Sequence, residues 1–222
     1  MRSQAPIPLA ASDPPLDCPR CPRLVAYRDA NAKAVPNAFN APVPSWGPLD
    51  ARLLVVGLAP GVKGANTTGR PFTGDHAGWL LYEMLTKHGF ATGTFEARSD
   101  DGLTLHDARI TNAVRCVPPQ NKPTTPEIKT CQSFLAQTIE EMPRLEAILC
   151  LGRISHDAVV RTLQRPLASL PFQHGAAWEL DDRHAGLTLY DSYHCSRYNT
   201  NTGVLTTEMF DAVFGTIRTA LQ

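Results

Sequence analysis

Cysteines, one carboxylate, one amide and one histidine stand at positions in this 222-residue chain where they could do chemistry. Cys18-Pro-Arg-Cys21-Pro is a CxxC pair followed by proline, a common setting for thiolates that hold an iron–sulfur cluster. Cys116 and Cys131 can close the same site, because a loop and the helix after it fold back together. Four thiolates suit zinc equally well, and spacing alone does not choose between the metals. Cys131 also falls on an apolar helical stripe, where a buried thiol is ordinary core. Cys150, inside Ile148-Leu149-Cys150-Leu151, reads as core outright.

The second group begins in the stretch from Leu53 to Asp75. A short apolar run, Leu53 to Gly57, has the character of a strand buried on both faces. A polar loop follows, with Gly57, Gly61, Gly64, Gly69 and Gly74 spaced through it, and Asp75 then opens a helix. That helix keeps Ala77, Leu80, Leu81, Met84 and Leu85 on one face and stops at Gly89. The loop is far longer than the usual connection of about 4–6 residues, so a function is expected of it. It is not a nucleotide phosphate loop. Gly64 to Gly69 supplies the glycine pair, but Arg70 and Pro71 stand where lysine and a magnesium-binding hydroxyl are needed. The GxGxxG dinucleotide fingerprint is missing as well.

Each remaining candidate has an ordinary structural reading beside the functional one. Asp75 can simply cap its helix. His194 can be a hydrogen-bonded core histidine, Asn112 a turn residue, and Phe72 plain core. Position favours function, because all four fall at or near carboxyl ends of strands, the edge where open α/β sheets bind ligands.

The elements that must carry them alternate. Strands are expected at Leu53 to Gly57, Ala108 to Val114, Ala147 to Leu151 and Leu187 to Ser192, with a short one at Ala177 to Leu180. Helices are expected after Asp75, from Pro126, through Ala158 and Leu163, and from Thr206. This is an α/β chain of three layers around a mostly parallel four-stranded sheet. Ten of the nineteen prolines precede Leu49, so the first fifty residues are read as irregular, with a helical turn or two around Leu24 to Asn31. Residues 1–17 are read as a loose arm and 18–222 as one domain. Nothing resembles a signal peptide or membrane span, and a cytoplasmic, monomeric protein is expected. Net charge is zero, which argues against bulk coating of nucleic acid. The three loops at the ligand edge nevertheless carry Lys63, Arg70, Arg115, Lys122 and Arg197 against Asp75, a local surplus of four positive charges that suits an anionic polymer.

Taken together, Gly57-Leu-Ala-Pro-Gly61, Gly64-Ala-Asn-Thr-Thr-Gly-Arg-Pro-Phe-Thr-Gly-Asp75, Thr111-Asn112 and the stretch His194-Cys-Ser-Arg-Tyr-Asn-Thr-Asn-Thr-Gly203 resemble the uracil-DNA glycosylase superfamily. The match is nearest to its family 5, the UDGb type, which carries a [4Fe–4S] cluster. The resemblance runs from Cys18 to the final helix. Two positions depart from it: Gly61 stands where that family usually has alanine, and Cys195 where it usually has valine.

What the resemblance implies is a DNA repair enzyme that hydrolyses the bond between a damaged base and deoxyribose. Cys18, Cys21, Cys116 and Cys131 would hold the cluster. Phe72 would stack on the extruded base, with Gly57, Ala59 and Gly61 shaping its pocket, and Asn112 would read the base's polar edge. His194 would donate to the base carbonyl as the bond stretches. The loop 57–61 has no carboxylate, which leaves Asp75 to polarise water or to stabilise the positive sugar. A helix start favours a negative charge, which fits the second role better. Arg197, Tyr198, Asn199, Lys63 and Arg70 would contact DNA. Uracil is the expected base, with hypoxanthine or etheno-adducts as further substrates.

Overall fold

The computed structural model describes residues 9–181 and 183–222. In chain order the elements are α1 (Pro22–Ala34), β1 (Leu53–Gly57), α2 (Ala65–Thr68), α3 (His76–Lys87), β2 (Ala91–Thr92), β3 (Thr104–Leu105), β4 (Ala108–Asn112), α4 (Thr125–Glu140), β5 (Ala147–Leu151), α5 (Arg153–Thr162), β6 (Ala177–Glu179), β7 (Thr188–Ser192), α6 (Arg197–Asn201) and α7 (Thr207–Ala220).

The main sheet runs β4-β1-β5-β7-β6, with parallel pairing along the first four strands and β6 antiparallel on the edge. It therefore has five strands rather than four, because the short segment around Ala177 pairs with β7. β2 and β3 form a separate two-stranded hairpin.

Side chains alternate across each strand, and the alternation builds two cores. Leu53, Val55, Ile110, Leu149 and Leu151 face one way and meet Leu81 and Leu85 of α3 with Phe210, Phe214 and Ile217 of α7. Leu54, Val56, Ile148, Cys150 and Leu189 face the other way and meet Leu135 of α4 with Val159 and Val160 of α5. The three layers follow from that division.

The irregular N-terminal region is more ordered than its prolines suggest. α1 spans 13 residues, with Pro22 in the first turn, where its missing N–H costs nothing. Of the expected loose arm, residues 1–8 lie outside the described residues. Ser12 and Asp13 are buried, and Asp13 pairs with the buried Arg115 at 2.7 Å. An ion pair closed across the chain ties this stretch to the end of β4, and that partner is invisible to a local reading of proline content. The strand expected over 108–114 ends at Asn112 because the chain turns there. The Ala113 amide still bonds the Gly57 carbonyl of β1, and the Val114 amide then reaches the Leu58 carbonyl beyond that strand's end.

Candidate active site

Pairing of β1 with β4 sets Gly57 directly beside Asn112 at the sheet's carboxyl edge. Two strands further along, β7 ends at Ser192 and delivers His194 to the same edge. The loop after β1 crosses above. Between them lies a cavity of about 380 Å³ lined by Ala59, Gly61, Phe72, Asp75, Asn112 and His194, with His76, Asn121 and Arg197 at its walls. The size is within the range of about 300–1,000 Å³ usual for small-ligand sites. Phe72, Asp75, Asn112 and His194, placed by three separate segments, thus share one chamber.

Phe72 is buried, and its backbone sits at φ 53°, a left-handed conformation that costs about 1 kcal/mol or more for a side chain of this kind. The surroundings hold it there. Pro71 O accepts from Tyr82 Oη at 2.6 Å. A Cβ on Gly78 would stand 1.9 Å from Phe72 O, and one on Gly57 would stand 2.6 Å from the Phe72 ring and 2.5 Å from Asn112 Oδ1. Bare backbone at both positions lets ring, amide and sheet edge close together. The Phe72 ring lies 6.0 Å from the His194 ring with a 29° interplanar angle.

Asp75 is the cap of α3: its Oδ1 accepts from the Gly78 amide at 3.2 Å. The capping role and a role in the cavity coexist, since Oδ2 points to the glycine loop. A Cβ on Gly64 would meet that oxygen at 2.7 Å, one on Gly61 at 3.5 Å.

Burial pushes the His194 imidazole below its ordinary pKa, with Asp75 offsetting part of the effect, so the ring is neutral at neutral pH. Its carbonyl accepts from Asn199 Nδ2 at 2.8 Å. The expected DNA-contacting Asn199 therefore turns its amide inward, as a brace for the His194 backbone. Its neighbours on α6 behave differently: Arg197 and Tyr198 are exposed, Tyr198 to 73%. Lys63 is exposed on the glycine loop.

Arg70 is corrected. It is 1% exposed, forms two bonds to Asp101 at 2.8 and 2.7 Å, donates to Thr73 Oγ1 at 2.8 Å and lies over the Trp46 ring at 4.7 Å. It does not face DNA. It anchors the loop that carries Phe72, because a planar guanidinium can satisfy a carboxylate, a hydroxyl and an aromatic face at once. Arg115 is equally buried on Asp13, Ser45 and Thr138. The positive surplus read from the loops thus reduces at the surface to Lys63, Lys122 and Arg197.

The four cysteines expected at one centre do line a single pocket, beside Leu24, Val114 and Phe134. All four are free of disulfides. Burial pushes the Cys116 thiol up to about 12 and raises those of Cys21 and Cys131 as well. The Arg115 amide donates to Cys131 Sγ at 3.4 Å. Ala59 packs against this cluster and also lines the larger cavity, so the two sites share a wall.

A second gathering of ligand-type atoms, Cys150, His156 and Asp191, lies within 4.8 Å in the core. Both ring nitrogens of His156 already have partners, Asp191 Oδ1 at 2.7 Å and the Leu170 carbonyl at 2.8 Å. Burial works against the charged ring, yet those acceptors prevail and raise His156 above its ordinary pKa. This is a closed ion pair of the core, in keeping with the structural reading of Cys150.

Two cavity residues escaped the sequence reading. Asn121 follows the prolines of the loop after β4, has a left-handed backbone at φ 56°, and lines the chamber. His76 was hidden by its role as the first residue of α3.

The comparisons agree with this geometry. The sequence model of the Uracil DNA glycosylase superfamily matches residues 44–218. The chain is 41% identical to the type-5 uracil-DNA glycosylase of Thermus thermophilus over 199 residues, covering 87% of this chain and 89% of that protein. It is 40% identical to the type-5 enzyme of Pyrobaculum aerophilum over 198 residues, 87% and 84% of the two chains. A type-4 uracil-DNA glycosylase from Archaeoglobus fulgidus is 30% identical over 153 residues, 68% and 69%. Similarity that spans the glycine loop, both strand ends and the His194 loop, at this identity and coverage, means that the chain belongs to the uracil-DNA glycosylase superfamily, beside its type-5 members.

Proposed function

We propose that this protein removes uracil from DNA by hydrolysing the N-glycosidic bond, leaving an abasic site. The observation that carries the reading is the single chamber shared by Phe72, Asp75, Asn112 and His194. Extruding a base from a duplex costs roughly a few kcal/mol, least where the base is mispaired. Stacking on an aromatic ring returns about 1–3 kcal/mol, and the buried, fixed face of Phe72 supplies it without further ordering. Asn112, held beside Gly57, presents its amide to the base's polar edge.

As the bond stretches, negative charge gathers on the base and positive charge on the sugar. A neutral imidazole donates to the base carbonyl, and donors of this kind are worth about 10²–10³ in rate. His194, kept neutral by burial, is suited to that. Asp75 Oδ2 is the carboxylate oxygen of the glycine loop region and stabilises the sugar. Water then adds hydroxide to C1′, and its proton neutralises the departing base. Arg197 and Tyr198 on α6 press on the DNA and fill the gap left behind, with Lys63 on the glycine loop. The small Gly61 leaves room for hypoxanthine or etheno-bases, which extend the substrate range.

Cys18, Cys21, Cys116 and Cys131 would hold a [4Fe–4S] cluster on this reading. The pocket fits: four disulfide-free thiols converge there, and an adjacent amide donates to one sulfur. Bound there, it would serve structurally, with the four thiolates joining the N-terminal segment and α4 to the end of β4.

The test is incubation with duplex DNA containing one uracil, followed by alkali. Strand cleavage at the uracil is expected, with Asp75→Ala and His194→Ala losing cleavage while still binding the DNA. Binding without cleavage by the unaltered protein would refute the enzyme.

A further inference from the structure

His76 has no part in the steps above, although it lines the cavity immediately after Asp75. Its Nε2 stands 3.2 Å from Thr200 Oγ1 on α6. The same hydroxyl lies 3.2 Å from the carbonyl oxygens of Ser196 and Arg197. Carbonyls only accept, so with the hydroxyl proton turned to either of them its lone pairs are left for His76. In that arrangement His76 Nε2 carries the proton and donates to Thr200 Oγ1. Neutral and protonated rings both meet this condition.

The bond joins two elements of very different rigidity. α3 is a 12-residue helix packed into the core, whereas α6 has five residues, too short to be stable alone. Ser196 Oγ caps α6 by accepting from the Asn199 amide at 3.3 Å, and Asn199 Nδ2 reaches His194 O at 2.8 Å. Both of these anchors belong to α6's own loop. His76 ties the loop to a separate, rigid element.

We propose that His76 is a positioning residue. Through Thr200 it holds α6, and with it Arg197 and Tyr198, at a fixed separation from Asp75. Tyr198 then meets the duplex in the right place as the base leaves the stack. The proposal rests on the glycosylase reading above. It places the cost of losing the tie on extrusion, a step that a uracil in single-stranded DNA does not need.

The experiment compares kcat/KM on uracil in single-stranded DNA and in a U·A duplex. His76→Ala is expected to lose about three- to tenfold more activity on the duplex than on the single strand, the scale of one hydrogen bond. His76→Gln, whose side-chain amide can donate from near the Nε2 position, restores the duplex rate. Thr200→Val reproduces the loss, and the double variant loses no more than either single one. The fluorescence rise of 2-aminopurine beside the uracil, which reports extrusion, is reduced in His76→Ala. Equal losses on both substrates, or additive losses in the double variant, overturn the tie while leaving the glycosylase reading intact. Unaltered protein that releases no uracil from either substrate overturns the glycosylase reading itself.

Discussion

Gly64 and Asp75 fit against each other with no room for a methyl group: a Cβ on Gly64 would stand 2.7 Å from Asp75 Oδ2. Gly61, three residues earlier, faces the same oxygen at 3.5 Å, an ordinary contact distance. The two glycines therefore make opposite predictions. Gly64→Ala displaces the carboxylate, and a shift near 1 Å costs about 10²-fold in rate. Gly61→Ala leaves it in place and keeps the single-turnover rate of uracil release close to that of the unaltered protein. Paired rate measurements on the two variants check this.

The Phe72 loop hangs on the buried pair Arg70–Asp101. Removing one partner strands the other, a loss of about 3–5 kcal/mol. Arg70→Met is expected to lower the melting temperature and, with it, uracil release. Burial works against the Asp101 carboxylate, but Arg70 and the amides of Glu96 and Leu103 outweigh it and hold the pKa below its usual value. With the folded value depressed, the pair's contribution is complete above the unfolded pKa of about 3.9 and fades as pH falls through the folded one. Urea titrations of Asp101→Asn should show a flatter loss of stability below about pH 4 than the unaltered protein shows.

The thiol pocket separates four cysteines from two. Cys116→Ala or Cys18→Ala is expected to abolish absorbance near 400 nm and protein-bound iron, while Cys150→Ala keeps both, because Cys150 is a buried residue of β5 and does not line that pocket. Metal analysis that finds zinc and no iron would replace the cluster by a zinc centre. Stripping the metal should lower the melting temperature, since α1, α4 and the residues after β4 meet at that pocket.

His156 and Asp191 give a pH dependence of the opposite sign. The folded His156 pKa is raised, so its contribution is present in full below the unfolded value of about 6.5 and declines as pH rises through the folded one. His156→Phe leaves Asp191 buried without its partner, costing about 3–5 kcal/mol, and removes that decline. Melting temperatures across the neutral to mildly alkaline range, in both proteins, would show it. Glycosylase chemistry is not expected to follow this titration, because neither residue lines the cavity.

Local rules reach a long way into this protein. Buried strands declare themselves as apolar runs, the amphipathic stripe after Asp75 marks α3, and the glycine loop between them points to the ligand edge. Residue type, order and spacing put forward the catalytic candidates and the four cysteines, and carry the motif resemblance that implies their roles. Folding decided where each charge went. Arg70 reads as a rim cation until Asp101, thirty-one residues away, closes on it in a shell of aromatic rings. Asp13 reads as part of a loose arm until it meets Arg115 across 102 residues. Asn121 and His76 line the chamber from a backbone turn and a helix start that sequence patterning does not orient. Periodicity and spacing are carried by neighbours along the chain, whereas burial of a charge is decided by a partner that only the tertiary fold brings within 3 Å.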